Sequence, residues 1–170
     1  MTDDAHLDTD LREALQRLWR DEKPSLSTGG SAAVEDLQSR YGLILPEAFA
    51  AYLRSASPDR DWMHGGGIIW WPPERIKSLR DECGSETPNE QLNAEIEVEA
   101  DTYLIFADYL DWCYAYAICC SVGPNRGKIA LIAVRPDRFV ASSFVTFVDL
   151  VAADSDRLHS PVGDHFTDVA

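Results

Sequence analysis

Two glycine-rich stretches of the 170-residue chain hold the residues that could support hydrolysis. Residues 64–67 (HGGG) match the glycine run that forms the oxyanion hole of some esterases, and residues 29–33 (GGSAA) loosely resemble a nucleophile elbow. The elbow follows the glycine run in those enzymes, whereas here it precedes it. Ser31 also has no apolar strand before it, and Ala33 stands where the elbow requires glycine. The pattern therefore argues against a serine hydrolase.

Metal binding and acid–base catalysis are no better supported by the spacing of residues. The four histidines are scattered, and none pairs with a cysteine or a second histidine at ligand spacing. Asp108 and Asp111 could be paired carboxylates, but aspartates between two strands more often form the turn itself. Nothing resembles a phosphate-binding loop. We therefore expect a protein without catalytic activity, metal or cofactor.

Residues 103–120 (YLIFADYLDWCYAYAICC) are predicted to form the centre of the fold, with the other elements packed around them. Two apolar runs, 103–107 and 112–119, flank four residues that include both aspartates, which predicts a β-hairpin with its turn at 108–111. In the second run large and small side chains alternate, so they lie on opposite faces of a strand. We expect this strand to be buried on both faces.

The cysteine pattern indicates reduced thiols. No C-x-x-C pair is present, and Cys113, Cys119 and Cys120 lie in the apolar segment, where a free thiol behaves as a small hydrophobic group. Cys119 and Cys120 should point to opposite faces of a strand, beyond the short reach of a disulfide. We therefore expect buried, unpaired cysteines.

Apolar periodicity predicts the remaining elements. Helices are expected from Asp10 to about Arg20, from Ser31 to Tyr41, and over 46–54 and 143–152, with Ser31 and either Ser142 or Ser143 as N-caps and Gly42 ending the second helix. Strands are expected over 68–71, 103–106, 114–119 and 128–134, with 95–99 as a possible edge strand.

This order of elements predicts an α+β fold in a single domain. We expect a mostly antiparallel mixed sheet of about five or six strands with helices packed on it, because the connections are too short for parallel strands. The core should span about 31–152, with loose ends at 1–10 and 154–170.

The charge of the chain restricts its partners. A formal net charge of −14 argues against binding nucleic acid or an anionic membrane, and it is compatible with a basic protein partner. No apolar run approaches the about 18 residues that a membrane span needs. Residues 1–4 (MTDD) include two acidic residues and no basic one, whereas a signal peptide begins with a basic segment. We therefore expect a cytoplasmic protein.

Partner-binding candidates are acidic and aromatic side chains of the central region. The acidic ones are expected on one strand face and at the following turn, which would place them on one edge of the sheet. Trp70, Trp71 and Trp112 are candidate apolar anchors, and packing in the core is the alternative expected for at least one of them. These candidates are Glu95, Glu97, Glu99, Asp101, Asp108, Asp111, Trp112 and Trp70.

Four stretches, taken in order, resemble the SUKH superfamily of Smi/Knr-type proteins. Residues 43–53 (LILPEAFAAYL) resemble that family's helix opening after a leucine–proline pair, preceded by Tyr41-Gly42 where the family usually has leucine–glycine. Residues 103–108 (YLIFAD) resemble its strand ending in aspartate, and residues 143–150 (SFVTFVDL) resemble its closing helix. Two features depart from the family: no glycine follows Asp108, and the loop 81–101 is long.

The resemblance implies an α+β fold without catalysis. Many bacterial members of this superfamily are immunity proteins, which neutralise a cognate polymorphic toxin by binding it. Others serve as regulatory or scaffold adaptors inside the cell. The resemblance thus predicts an immunity protein, with an intracellular adaptor as the alternative.

Overall fold

Seven strands form one antiparallel sheet in the computed structural model, which describes residues 3–84, 96, 98–132 and 138–159. The strands run in the order β1-β2-β4-β5-β6-β7, and β3 lies beside β4. Their bounds are β1 Trp62–Met63, β2 Ile68–Trp70, β3 Lys77–Ser78, β4 Tyr103–Tyr109, β5 Tyr114–Cys119, β6 Ile129–Ile132 and β7 Arg138–Ala141. The α+β class is confirmed. The sheet has one or two strands more than the five or six expected, and β1 and β3, with two residues each, are too short to show alternation in a sequence.

The helices whose bounds lie within the described residues are α1 Asp3–Leu18, α2 Gly30–Tyr41, α3 Glu47–Ser55, α4 Leu79–Cys83 and α5 Phe144–Ala152. Short 3-10 turns cover Pro73–Arg75, Ala100–Thr102 and Asp156–Leu158. No helix in the described part of the chain combines the length and the apolar character needed to cross a membrane.

The predicted helix ends agree with the structure in two of three places. The Ser143 side chain accepts a hydrogen bond from the Thr146 backbone N–H at 3.1 Å and caps α5. Gly42 ends α2 in the left-handed conformation, with φ of 63°. Ser31 is not an N-cap, because α2 already begins at Gly30 and has no side-chain cap.

β4 is the central strand, as its apolar sequence predicts. On one side it pairs with β2 through its second half and with β3 through its first half, and on the other side it pairs with β5. Because strands cover both edges and side chains cover both faces, residues 103–108 are all buried. In β5, Ala115, Tyr116 and Ala117 are also fully buried, so burial on both faces is confirmed.

An aromatic core fills the sheet face that α1, α3 and α5 cover. Phe106 of β4 lies 5.5 Å from Phe49 of α3 and 5.3 Å from Phe147 of α5, measured between ring centroids. Trp70 of β2 packs edge-on against Trp19, just beyond α1, at 5.7 Å. Burial of several aromatic rings, each worth about 1.5–3 kcal/mol, stabilises the attachment of the helices to the sheet.

The chain ends and the predicted edge strand differ from the structure. α1 begins at Asp3 rather than Asp10, and residues 154–159 are ordered by a 3-10 turn in which Leu158 is buried and its carbonyl accepts a hydrogen bond from Tyr116. Ile96 and Val98 are helical, so the strand expected over 95–99 is wrong at those residues. Glu95 and Glu97 lie outside the described residues.

None of the four cysteines, all of which lie within the described residues, forms a disulfide. Cys119 and Cys120 are buried as expected, and burial raises the pKa of the Cys120 thiol to about 12, with a smaller contribution from Cys119. Cys113 is exposed, contrary to the expectation, because β5 begins only at Tyr114. The three thiols of this segment therefore differ in accessibility.

Thiol labelling should separate these cysteines. We expect an alkylating reagent to modify Cys113 rapidly in the native protein and Cys120 only after unfolding, because the reactive thiolate must be both formed and accessible. Peptide mapping by mass spectrometry after timed quenching measures the order, and the Cys113→Ser variant should lose the rapid phase. Four free thiols are expected after denaturation, and rapid native labelling of Cys120 would contradict its burial.

Candidate functional site

The turn between β4 and β5 has an unusual backbone. Leu110, Asp111 and Trp112 have φ values of 44°, 57° and 71°, and a hydrogen bond of 2.9 Å from the Cys113 N–H to the Tyr109 carbonyl closes the turn. This left-handed conformation costs roughly 1–2 kcal/mol for each residue other than glycine. Other contacts must therefore hold the three residues in place.

Asp108 provides the main one of these contacts. It is the last buried residue of β4, with 1% of its surface exposed. Its Oδ1 accepts a hydrogen bond from the Trp112 backbone N–H at 3.0 Å, and its Oδ2 accepts one from Trp71 Nε1 at 2.7 Å. One carboxylate thus ties the turn to the chain that follows β2.

Arg75 supplies a positive charge to this carboxylate. Its Nη2 lies 3.7 Å from Asp108 Oδ2, and its Nη1 forms a salt bridge of 2.7 Å with Asp61. The guanidinium carbon lies 3.9 Å from the centre of the Trp71 ring, a cation–π contact. The Trp71 ring in turn lies 6.4 Å from the Trp112 ring. A buried carboxylate that is paired and hydrogen-bonded in this way can hold a strained turn.

Gly67 supports the turn from the other side. Its carbonyl accepts a hydrogen bond of 3.0 Å from the Leu110 N–H, and its φ of 91° suits glycine. A Cβ atom at this position would lie 2.9 Å from the Tyr109 ring. The glycine run 64–67, considered above for an oxyanion hole, therefore has a structural role in placing the turn.

The turn presents a mixed apolar and acidic surface, which we call the turn surface and define as Leu110, Asp111 and Trp112. Leu110 is 47% exposed, Asp111 is exposed, and Trp112 is half-buried. Met63, also exposed, pairs with Ile69, and Ile69 pairs with Asp108, so these three side chains share one face of the sheet. The surface therefore offers apolar contacts beside a carboxylate.

Tyrosines border the turn on the opposite sheet face. Tyr109 and Tyr114 stack with ring centroids 4.7 Å apart, and the Tyr114 hydroxyl lies 2.7 Å from His159 Nδ1. Burial, with a further contribution from Tyr109, raises the pKa of Tyr114 above its ordinary value, so the phenol stays protonated at neutral pH. The stacking and the contact with His159 hold Tyr114, the first residue of β5, in place.

The structure separates the predicted site residues. Trp70 is 0% exposed and belongs to the core, so its ring is not available to a partner in this structure. Asp108 is buried and organises the turn instead of facing outward. Asp111 and Trp112 both lie on the turn surface, although Trp112 was expected to begin the second strand of the hairpin.

The acidic residues do not share one edge of the sheet. Glu99 and Asp101 precede β4 and Asp111 follows it, and the seven residues of that strand span roughly 20 Å. Asp101 is also paired with Arg80 at 2.9 Å, and β4 is an interior strand. The expected single acidic edge is therefore wrong for the described residues, and Glu95 and Glu97 lie outside them.

Sequence reasoning missed Arg75, Asp61 and Met63. A basic residue two positions after Pro73 carries no local signal that it will meet Asp108, and a two-residue strand shows no alternation. Among the described residues, no three histidine, cysteine, aspartate or glutamate side chains are grouped so that they could hold a metal ion. The chain matches no protein-family model, no curated protein and no solved structure.

Proposed function

We propose that this chain is a non-enzymatic protein-binding domain, an immunity protein that neutralises a cognate basic toxin in the cytoplasm. The observation that carries the proposal is the turn surface, which Asp108 holds in a strained conformation with Leu110 and Asp111 exposed. Backbone strain of this kind is concentrated at functional sites, where the surrounding structure maintains it. A pre-organised surface loses little conformational entropy when a partner binds.

The residue types of the turn surface suit a protein interface. Tryptophan is enriched among the few residues that dominate binding energy, and Trp112 already rests against the buried Trp71 ring, so its position is set before binding. Leu110, 47% exposed, adds apolar area to the same turn. We therefore assign the anchoring contacts to Trp112 and Leu110.

The charge of the chain favours a basic partner. A net charge of −14 attracts a positively charged protein over distance and raises its association rate, as expected for a toxin with a basic substrate groove. Asp111 lies on the turn surface itself, so its carboxylate would meet the partner directly. Exposed charges are screened over about 10 Å at 0.1 M salt, which makes this contribution sensitive to ionic strength.

Co-purification of this protein with the product of the gene next to its own tests the proposal. Binding kinetics with that product then test whether the turn surface is the interface. We expect Trp112→Ala to speed dissociation roughly 30-fold or more, because an anchor residue contributes about 2 kcal/mol or more to binding. Asp111→Lys should instead slow association, and the effect should shrink as salt rises. Stopped-flow association and dissociation measurements at two ionic strengths give both rates.

Two matched variants serve as controls. Val122→Ala removes an apolar side chain that is 96% exposed at the far end of β5, and Glu99→Lys reverses a charge beyond the far end of β4. Neither should change dissociation by more than about twofold if the turn surface is the interface. Unchanged kinetics for Trp112→Ala and Asp111→Lys, with folding intact, would place the interface elsewhere. Failure of the adjacent product to bind at all would count against the immunity role.

A further inference from the structure

Arg75 shows how this protein holds a guanidinium group. Its Cζ atom lies 3.9 Å from the centre of the Trp71 ring, and Nη1 and Nη2 lie 2.7 Å and 3.7 Å from carboxylate oxygens of Asp61 and Asp108. A planar guanidinium can stack on an aromatic ring and pair with carboxylates through its edge, whereas the ammonium of lysine is a compact, strongly hydrated charge. An indole ring beside carboxylates is therefore an arrangement that suits arginine.

The turn surface offers an indole ring and a carboxylate without such a cation. Trp112 is half-buried and Asp111, the preceding residue, is exposed, so a partner can reach part of the ring and the carboxylate. Within the described residues, no cation lies over the Trp112 ring and no basic side chain forms a salt bridge with Asp111. The two Cα atoms are about 3.8 Å apart, as across any trans peptide, so one arginine side chain can contact both residues.

The charge around this part of the turn is negative. Asp61, Asp108 and Asp111 contribute three negative charges at neutral pH and Arg75 contributes one positive charge, so these four residues carry a net charge of −2. Arg75 is already engaged by Asp61 and Asp108, which leaves the Asp111 carboxylate to attract a cation from outside. The hydrogen bond of 3.0 Å from the Trp112 N–H to Asp108 fixes the backbone that carries the ring. The site is therefore negative and already formed before a partner arrives.

We propose that the turn surface binds an arginine side chain of the partner protein, whose guanidinium stacks on the Trp112 ring and donates hydrogen bonds to the Asp111 carboxylate. The inference rests on the proposed function and specifies the chemistry that the partner presents to this surface. Charge complementarity favours a cation, and an indole beside a carboxylate favours arginine over lysine, as it does for Arg75 inside the protein. Arginine and tryptophan are both enriched among the residues that dominate binding energy.

Two small probes of equal charge, N-acetyl-arginine amide and N-acetyl-lysine amide, test the proposal on the ¹⁵N-labelled full-length protein at constant ionic strength. We expect the arginine probe to shift the Trp112 indole N–H signal in a saturable way, with a dissociation constant of about 10–100 mM. It should bind about two- to fivefold more tightly than the lysine probe, the range that one exposed stacking contact supplies. General attraction to the acidic chain acts on both probes alike and does not produce this difference.

Trp62 provides an internal control. It is half-buried as well, but the carboxylate of Glu22 beside it already accepts hydrogen bonds from Trp62 Nε1 at 3.1 Å and from the Gly65 N–H at 2.8 Å. The indole signal of Trp62 should therefore not distinguish the two probes. Asp111→Asn keeps a residue that tolerates positive φ, and it should weaken binding of the arginine probe about two- to fivefold through loss of an exposed ion pair.

Trp112→Leu assigns the indole signal, and the comparison of the two probes on the unchanged protein needs no variant. The proposal is overturned if the arginine probe gives no saturable shift at Trp112, if the two probes bind there equally, or if Asp111→Asn leaves the arginine probe unaffected. These measurements contain no toxin, so their failure is distinguishable from failure of the immunity role. A preference for the arginine probe without binding of the adjacent gene product would contradict the immunity role alone, and the reverse result would contradict only the arginine contact.

Discussion

Replacing Asp108 with alanine is expected to lower the free energy of unfolding by about 3–5 kcal/mol. The substitution leaves Trp71 Nε1 and the Trp112 backbone N–H without their acceptor, whereas Arg75 keeps its salt bridge with Asp61. Each donor left without an acceptor away from water costs about 1–3 kcal/mol because it stays desolvated, and two such donors account for about this amount. Urea unfolding followed by tryptophan fluorescence measures the change.

Two further variants distinguish the loss of the Asp108 hydrogen bonds from a general sensitivity of the turn to substitution. Asp111→Asn changes an exposed carboxylate on the same turn and keeps a residue that tolerates positive φ, so its effect should stay within about 0.5 kcal/mol. The loss of unfolding free energy in Asp108→Asn should lie between those of Asp108→Ala and Asp111→Asn, since an amide oxygen can replace only one of the two carboxylate oxygens as an acceptor. A loss below about 1 kcal/mol for Asp108→Ala would show that the carboxylate does not hold the turn.

Gly30→Ala is expected to destabilise the protein by about 3 kcal/mol or more, although alanine is the better helix former. A Cβ atom on Gly30 would lie 1.7 Å from the Leu53 carbonyl oxygen and 2.9 Å from the Arg54 Cα. Both are backbone atoms of α3, so α2 and α3 would have to move apart. Helix propensity favours alanine by only about 1 kcal/mol, and steric overlap with a packed backbone outweighs it.

Gly29→Ala provides a matched control one residue earlier. A Cβ atom there would come within 3.0 Å of Glu74 Oε1, the mobile end of a side chain, and the backbone φ of −92° suits alanine. We expect a change within about 0.5 kcal/mol by thermal or urea unfolding. Equal effects of the two substitutions would mean that the close approach of α2 to α3 does not limit stability.

The sequence by itself determined the α+β class and the elements of the core. β2, β4, β5 and β6 and the helices α3 and α5 were predictable because the period of apolar residues reflects backbone geometry over a few neighbouring positions. Gly42 and Ser143 were predictable for the same local reason, since the end of a helix requires particular residue types at fixed positions.

The tertiary structure alone decided which of the candidate residues reach the surface. Trp70 and Trp112 look alike in the sequence, yet three helices cover the first and a turn exposes part of the second. Asp108 and Asp111 both read as turn residues, and only the packing of Trp71, 37 positions earlier, makes Asp108 an internal acceptor. Such contacts depend on the meeting of distant segments, which local periodicity does not encode. The left-handed turn without glycine follows from the same cause, because contacts from Gly67 and from Asp108, which Trp71 holds in place, stabilise a backbone that its own residues disfavour.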